Sequence, residues 1–324
     1  MRPRIGVSGP VRPDSGIGVI QRELHARLAA DCELVPSASR DAAHGPLAAV
    51  RGLAAGLQPP ARGLDGYVGM VSPLPLRVPA PLVYIVHDLR WLRSGAAKRT
   101  YRALDLRRAV RSAERLVCVS ECTRRDLVAH YPEAAATAQA AWLGPGVVTS
   151  ADWGDGIPGR VLLVGGDPRK QNERAADVLA ALPAGLITSV VGVGVSARCA
   201  ELAGAAVGAD NVQVRHRLPD EQMAAEFTQA QFYVHLGTDE GFGLPYVEAL
   251  ASGCVPVAID QPLTREVLGD AGILLRDAPV PDLAAQWAGA ASPSAAARRE
   301  RATRFSWDAF AAVVREGLQL PPAA

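Results

Sequence analysis

The chain has 324 residues, of which 49% are apolar and 21% charged, with a formal net charge of +1. That length exceeds the usual size of one hydrophobic core and predicts two domains. Near-neutrality and the lack of a nucleic-acid module give no reason to expect a nucleic-acid partner. No segment is apolar and long enough to predict a membrane span, and "MRPRIGVSG" reads as the entry to a strand, not a signal peptide. The five cysteines (Cys32, Cys118, Cys122, Cys199, Cys254) form no CxxC pair and no metal spacing. Reduced thiols of a cytoplasmic protein are expected, peripheral at a membrane surface at most.

Charge is distributed unevenly. Residues 1–150 carry 20 Lys+Arg against 12 Asp+Glu, and the remainder 14 against 21. Lysine occurs only at Lys98 and Lys170, so arginine has taken the generic surface positions. Each lysine then invites a specific explanation.

In chain order, short apolar runs alternate with helical stretches. "RIGVSG", "PLVYIVHD" and "RLVCVS" are predicted strands in the first half. "GRVLLVGG", "LITSVVGVG", "NVQVRH", "QFYVHLG" and "VPVAID" are predicted strands in the second. Helices are expected at 18–30, 96–113, 123–130, 172–182, 220–230 and 245–252. Apolar runs without strict alternation suit strands buried on both faces of a parallel sheet. Strand–helix repetition implies doubly wound α/β domains, whose ligands bind beyond the carboxyl ends of the strands. The Gly- and Pro-rich stretch "WLGPGVVTSADWGDGIPGR" marks the break, placed near residue 152.

"TDEGFGLPYVEALASGCVPVAID" carries one charged residue, Glu248, between Glu240 and Asp260. Gly241 and Gly243 permit tight turns, and Pro245 suits a first helical turn. A glycine turn that feeds a helix N-terminus is an anion site. A carboxylate on an otherwise apolar helix is costly unless paired. An acceptor-only group there suits a vicinal diol such as a ribose, with helix-dipole stabilisation as the structural alternative.

Arg169 and Lys170 follow the first strand of the second half, where two cations can neutralise a diphosphate. Gly16 and Gly18 follow the first strand and open a helix. His87 and Asp88 end a strand, where His87 is a candidate hydrogen-bond donor to a ligand. "GVGVSA" (192–197) has the spacing of a dinucleotide fingerprint but lies on the second strand of its domain. The fingerprint is therefore discounted as a dinucleotide site. "DWGD" (152–155) is not a metal-binding DxD, and no metal site is expected. Arg107, Arg111 and Arg115 recur at helical spacing near 98–115, either as a solvated face or as a weak contact with an anionic acceptor or membrane surface.

The stretch from Glu240 to Glu248 resembles the Glu-x7-Glu motif of family 4 retaining, nucleotide-sugar-dependent glycosyltransferases (glycosyl transferases group 1). "PDSGIGVIQREL", "IVHDLRW", "VSECTRRDL", "LLVGGDPRKQN" and "FSWDAFAAVV" resemble further elements of that family, in family order. The resemblance implies an α/β GT-B fold, two Rossmann-like doubly wound domains facing a cleft. Residues 1–151 would bind acceptor, 152–304 would bind donor, and a helix within 305–324 would cross back. It implies Glu240 near the donor sugar and Glu248 on the ribose. Gly241, Phe242, Gly243 and Leu244 would lie along the nucleotide sugar, and the loop of Gly192 would line the nucleoside, with His216 near the base. Catalytic roles would fall to Glu240, His87, Lys170 and Arg169. Many relatives have arginine directly after the strand glycine, where this chain has Gly166. The expected activity is metal-independent transfer of a hexose, without cofactor, from a UDP, GDP or dTDP sugar to a hydroxyl. Scarce lysine beside abundant Arg and Ala looks like a GC-rich coding bias, which suits bacterial natural-product or envelope-glycan synthesis. A sugar-nucleotide epimerase and a catalytically silent partner of another transferase are the alternatives, and a dehydrogenase would need the misplaced fingerprint to function.

Overall fold

The computed structural model describes residues 2–9, 15–36, 61–71, 74–75, 77–78, 81–93, 96–147 and 153–321. These form two units, each an α/β sandwich around a parallel six-stranded sheet. Most of segment 36–80, the Asp14 end of the N-terminal glycine motif, the Lys98 side chain and Asp152 lie outside the described residues.

The first sheet contains β1 (Arg4–Val7), β2 (Glu33–Pro36), β3 (Gly66–Gly69), β4 (Leu82–Val86), β5 (Arg115–Cys118) and β6 (Ala138–Ala140), in spatial order β2-β1-β3-β4-β5-β6. β4, Leu-Val-Tyr-Ile-Val, is buried along its whole length, as a central strand covered on both faces must be. The helices are α1 (Gly16–Leu28), α2 (Ala96–Ser112) and α3 (Glu121–His130). Ser15 caps α1 by accepting from Gly18 N–H, and Ser120 caps α3 by accepting from Thr123 N–H. α2 stops at Ser112, and Arg115 opens β5. The expected Arg107–Arg111–Arg115 helical face is therefore not continuous, and Arg115 instead pairs with Gln139 and Glu316.

The second sheet contains β7 (Ile157–Val164), β8 (Ser189–Val193), β9 (Val212–Arg215), β10 (Ala230–His235), β11 (Val255–Ile259) and β12 (Ile273–Leu275). Its order is β12-β11-β10-β7-β8-β9, so the chain reverses direction across the sheet between β7 and β10. Ligands of open parallel sheets bind at such a switch point. The helices are α4 (Asn172–Ala180), α5 (Ala197–Val207), α6 (Asp220–Gln229), α7 (Leu244–Ser252), α8 (Pro262–Leu268), α9 (Val280–Ala288) and α10 (Ala295–Ala302). α5, α8, α9 and α10 are helices that the apolar patterning did not predict, as are strands β2, β3, β6 and β12. All of these elements are short or Ala-rich, so their periodicity is weak.

The chain divides between Gly144 and Pro145 and again between Phe305 and Ser306. The final helix, α11 (Trp307–Gly317), belongs to the first unit, where it packs on α1, β4 and β5. A Cβ at Gly144 would lie 2.4 Å from the Trp307 ring, and one at Gly317 2.6 Å from Arg115. Arg315, 4% exposed, grips Asp31 through both terminal nitrogens, at 2.9 and 2.5 Å. The Gly144–Trp307 contact holds Gly144 in the first unit, which ends there, inside the Gly- and Pro-rich stretch and ahead of the expected break near residue 152. Residues of that stretch pack into the second unit. Trp153 Nε1 donates to Leu250 O at 3.3 Å, and Asp155 pairs with buried Arg298. The guanidinium of Arg299 sits 4.2 Å above the Trp153 ring.

Candidate active site

The loops after β7 and β10 meet at the switch point of the second sheet. After β7 the backbone passes through Gly165 in a left-handed conformation (φ +94°), then a short turn over Pro168–Lys170. The Lys170 stem lies over Gly165, and its Nζ sits 3.1 Å from Glu240 Oε1. The two side chains are 20% and 19% exposed. The lysine is thus held against its own domain, unlike a solvated surface charge. Arg169 is half-exposed, and its guanidinium closes on Asp167 through Nε at 3.0 Å and through Nη2. That arginine, chiefly by hydrogen bonding, pulls the Asp167 carboxyl down to about 2. The two expected cations therefore have different partners.

Gly166 occupies the position where the family resemblance expects arginine. A Cβ there would meet the Gly194 carbonyl oxygen at 2.6 Å. The β7 and β8 loops approach so closely that no side chain fits. Gly192 lies inside β8, fully covered, and Gly194 (φ +68°) makes the turn. Ser196 caps α5 and donates to Glu173 at 2.8 Å. His216 is exposed just beyond β9, and its carbonyl faces Gly194.

After β10, Gly241–Gly243 leads into α7. Gly243 adopts φ +81° as the N-cap, where a Cβ would strike the Tyr246 ring at 2.5 Å. The cap makes no side-chain hydrogen bond, so the helix start presents backbone amides uncovered by any capping side chain. Phe242 is buried edge-on against Phe305, ring centroids 6.0 Å apart, and anchors this loop. Leu244 is the first residue of α7 and half-buried.

Glu248 is 8% exposed on α7. Burial pushes its carboxyl up to about 7, against the attraction of Lys170 and a hydrogen bond from Gly146 N–H. Among the described residues the hydrogen bond to this carboxylate comes from a backbone amide, that of Gly146. A vicinal diol would supply two more donors to its remaining acceptor capacity.

In the first unit, His87 and Asp88 follow β4. His87 Nε2 donates to Met70 O at 2.8 Å, while buried Nδ1 has no hydrogen-bond partner among the described residues. Burial lowers the His87 pKa below the ordinary range, so the ring is neutral and Nδ1 is an acceptor. A donated bond from His87 to a ligand thus requires Nε2 to leave Met70. Asp88 holds Arg90 at 2.6 Å. Gly16 is exposed as the first residue of α1, and Gly18 is buried two residues on.

One residue of this neighbourhood escaped the sequence reading. His235 ends β10 with its ring 1% exposed and Nε2 3.8 Å from Glu240 Oε1. The available signal was a polar residue closing an otherwise apolar strand, five positions before Glu240. Among the described residues no group of His, Cys, Asp and Glu is arranged to hold a metal, and no helix is long and apolar enough to cross a membrane.

Comparison with known proteins converges on the same segment. Residues 167–286 match the family "Glycosyl transferases group 1". A GDP-mannose:cellobiosyl-diphosphopolyprenol alpha-mannosyltransferase of Xanthomonas oryzae pv. oryzae is 38% identical over 63 residues, which are 19% of this chain and 17% of that protein. The Xanthomonas campestris protein of the same description is 42% identical over 53 residues, 16% and 14% of the two chains. The aligned stretch is thus about a sixth of these curated relatives. Over the whole chain the likeness is one of fold. Anabaena Alr3699/HepE, solved with UDP and glucose, has a TM-score of 0.69 at 15% identity, covering 98% of this chain and 99% of that one. Sucrose-phosphate synthase from Thermosynechococcus elongatus has 0.70 at 16%, covering 98% of both. WaaG, a glycosyltransferase involved in lipopolysaccharide biosynthesis, has 0.64 at 16%, covering 93% of both. The two parallel sheets have the GT-B fold of these glycosyltransferase structures, and the group 1 match falls on the loops that carry Lys170, Glu240 and Glu248.

Proposed function

We propose that the protein is a metal-independent, retaining glycosyltransferase of family 4 that moves a hexose from a nucleoside-diphosphate sugar to a hydroxyl. The observation that carries this reading is the Lys170–Glu240 pair at the sheet switch point, with the α7 amides and buried Glu248 on the adjoining helix. Lys170 and those amides would stabilise the leaving diphosphate as its charge develops. Arg169 would add a second cation on release from Asp167. Glu248 would accept from the ribose hydroxyls, and Glu240 would orient the hexose. His87 is a candidate hydrogen-bond partner for substrate in the first unit. In a front-face displacement the C1–O bond to the diphosphate breaks, and the acceptor oxygen bonds to C1 on the same face. The acceptor proton passes to the departing phosphate oxygen.

The relatives direct the choice of substrates to try. A GDP-sugar and a polyprenyl-diphosphate glycan are named for the Xanthomonas proteins and UDP for several structural neighbours. The test is calorimetric titration with UDP, GDP, dTDP and ADP, with and without chelator, followed by transfer from the matching sugar nucleotides. At least one nucleotide is expected to bind equally in both conditions, with product of retained anomeric configuration by NMR. Loss of all binding in chelator would overturn the metal-independent reading, and an inverted product would overturn the retaining one.

A further inference from the structure

His235 has no task in the scheme above, yet its surroundings are closely specified. The ring stacks on Tyr246, centroids 5.1 Å apart and planes 22° from parallel. Tyr246 Oη donates to the carbonyl of His235 itself at 3.1 Å. Tyr233 Oη lies 3.1 Å from Nδ1. The ring is therefore held on its face and at one nitrogen.

These partners also fix the tautomer. Burial, aided by the charge of Lys170, lowers the imidazole pKa well below the usual range, so the ring is neutral and has one N–H. The fully buried Tyr233 hydroxyl needs an acceptor, and Nδ1 provides it. The proton then resides on Nε2. Nε2 is buried with no hydrogen-bond partner among the described residues. The charged oxygen it approaches is Glu240 Oε1 at 3.8 Å, the same oxygen that holds Lys170 Nζ at 3.1 Å. Gly237 shapes this arrangement. A Cβ there would lie 2.8 Å from Nε2 and 2.2 Å from Arg169 O, so only bare backbone lets the two loops close over the ring.

The geometry points to His235 as a positioning residue for Glu240: its Nε2–H binds Glu240 Oε1 when an anionic ligand draws Lys170 Nζ away. The inference rests on the reading of Lys170 and Glu240 as diphosphate- and sugar-facing groups. A cation that leaves a carboxylate for a phosphate exposes that carboxylate to repulsion from the incoming anion. A buried neutral donor beneath it keeps the carboxylate in place without competing for the anion. Closing a gap of 3.8 Å to hydrogen-bond length requires a shift of about 1 Å in the glycine-rich loop.

Two measurements test this on the full chain. The first is nitrogen-15 NMR of the histidine rings, which needs no turnover. His235 is expected as the Nε2–H tautomer, with an Nε2 resonance that moves on saturation with inorganic pyrophosphate in wild type and not in Glu240→Gln. A Nδ1–H tautomer, or an Nε2 resonance that pyrophosphate leaves in place or moves equally in Glu240→Gln, would overturn the inference. These outcomes stand whether or not the protein transfers sugar, so they separate this inference from the proposed function. The second is kinetic and uses the donor that wild type accepts. His235→Leu is expected to lower kcat about 10- to 100-fold, the worth of a hydrogen bond to a charged group, and to change nucleoside-diphosphate affinity by no more than about twofold. His235→Gln, which keeps a donor, is expected to recover most of the rate. If both variants lose rate in step with diphosphate affinity and melting temperature, His235 is a packing residue. If His235→Gln is as slow as His235→Leu while folded, the donated bond is not the cause.

Discussion

At the switch point of the first sheet, Ser8, Gln21 and His87 turn onto backbone. At that of the second, Lys170 and Glu240 turn onto one another. Between β1 and β3, buried Ser8 accepts from Met70 N–H at 2.8 Å, Gln21 donates to the carbonyls of Ser8 and Gly9, and His87 donates to Met70 O. Between β7 and β10, Lys170 meets Glu240, with His235 beneath and Glu248 nearby on α7. Bonds to backbone fix a loop and leave little to exchange. A partly buried charge pair is exchangeable, since either member can take a ligand group of opposite sign. On the proposed function the second unit holds its charges where a ligand would redirect them; the group 1 match covers those loops.

The strongest test of this contrast is Lys170→Ala. On the proposed function it is expected to lower kcat by about 10²–10³, the typical cost of one transition-state charge donor. Near-normal turnover at saturating donor, measured alongside an unchanged melting temperature, would reduce Lys170 to a surface charge.

Glu248 ranks next. Its carboxyl rises from an ordinary 4.5 to about 7 in the folded protein. Between those values the folded state holds a proton that the unfolded state has lost, so stability falls as pH rises from about 4.5 to 7 and levels off above. The penalty above pH 7 is on the order of 3 kcal/mol. Glu248→Gln keeps an acceptor for Gly146 N–H and carries no charge. It is expected to be more stable than wild type at pH 8, with the difference shrinking toward pH 5, by denaturant titration at both values. The same variant is expected to bind nucleoside diphosphate about tenfold more weakly, because its amide cannot accept a second ribose hydroxyl. A less stable variant at pH 8 would mark the carboxylate as structurally paired.

Gly166→Arg restores the residue that the family resemblance expects. With a Cβ 2.6 Å from Gly194 O, it is expected to cost about 1–3 kcal/mol of stability with no gain in diphosphate affinity. A stable variant that binds more tightly would show that the loops separate freely. In the first unit, His87→Ala is expected to slow transfer by about 2- to 10-fold and to leave diphosphate affinity unchanged, as loss of one ordinary hydrogen bond would. Smallest of all, Asp308→Ala removes the Arg27 partner at an 84% exposed carboxylate and is expected to cost less than about 1 kcal/mol in a chemical melt.

Much of the fold was legible along the chain. Strands such as Leu-Val-Tyr-Ile-Val and Gly-Arg-Val-Leu-Leu-Val are β-branched or apolar runs, and a parallel strand buried on both faces needs no more information than that. Gly243 before Leu-Pro announced a helix entry, because few other residues adopt its left-handed turn. Those properties are local, and local sequence carries them. What lay outside that reach were relations between segments distant in sequence. The Glu240 partner of Lys170 and the bareness of Gly166 against Gly194 both depend on the order in which strands are laid side by side. His235 shows the limit best. As a letter it closes an apolar strand. Its tautomer, neutrality and direction are set by Tyr233, Tyr246 and Lys170, which only the closed fold brings around it. Sequence specifies which groups a chain can offer. The field and the unmet hydrogen bond that give a group its chemistry arise when packing excludes water from between them.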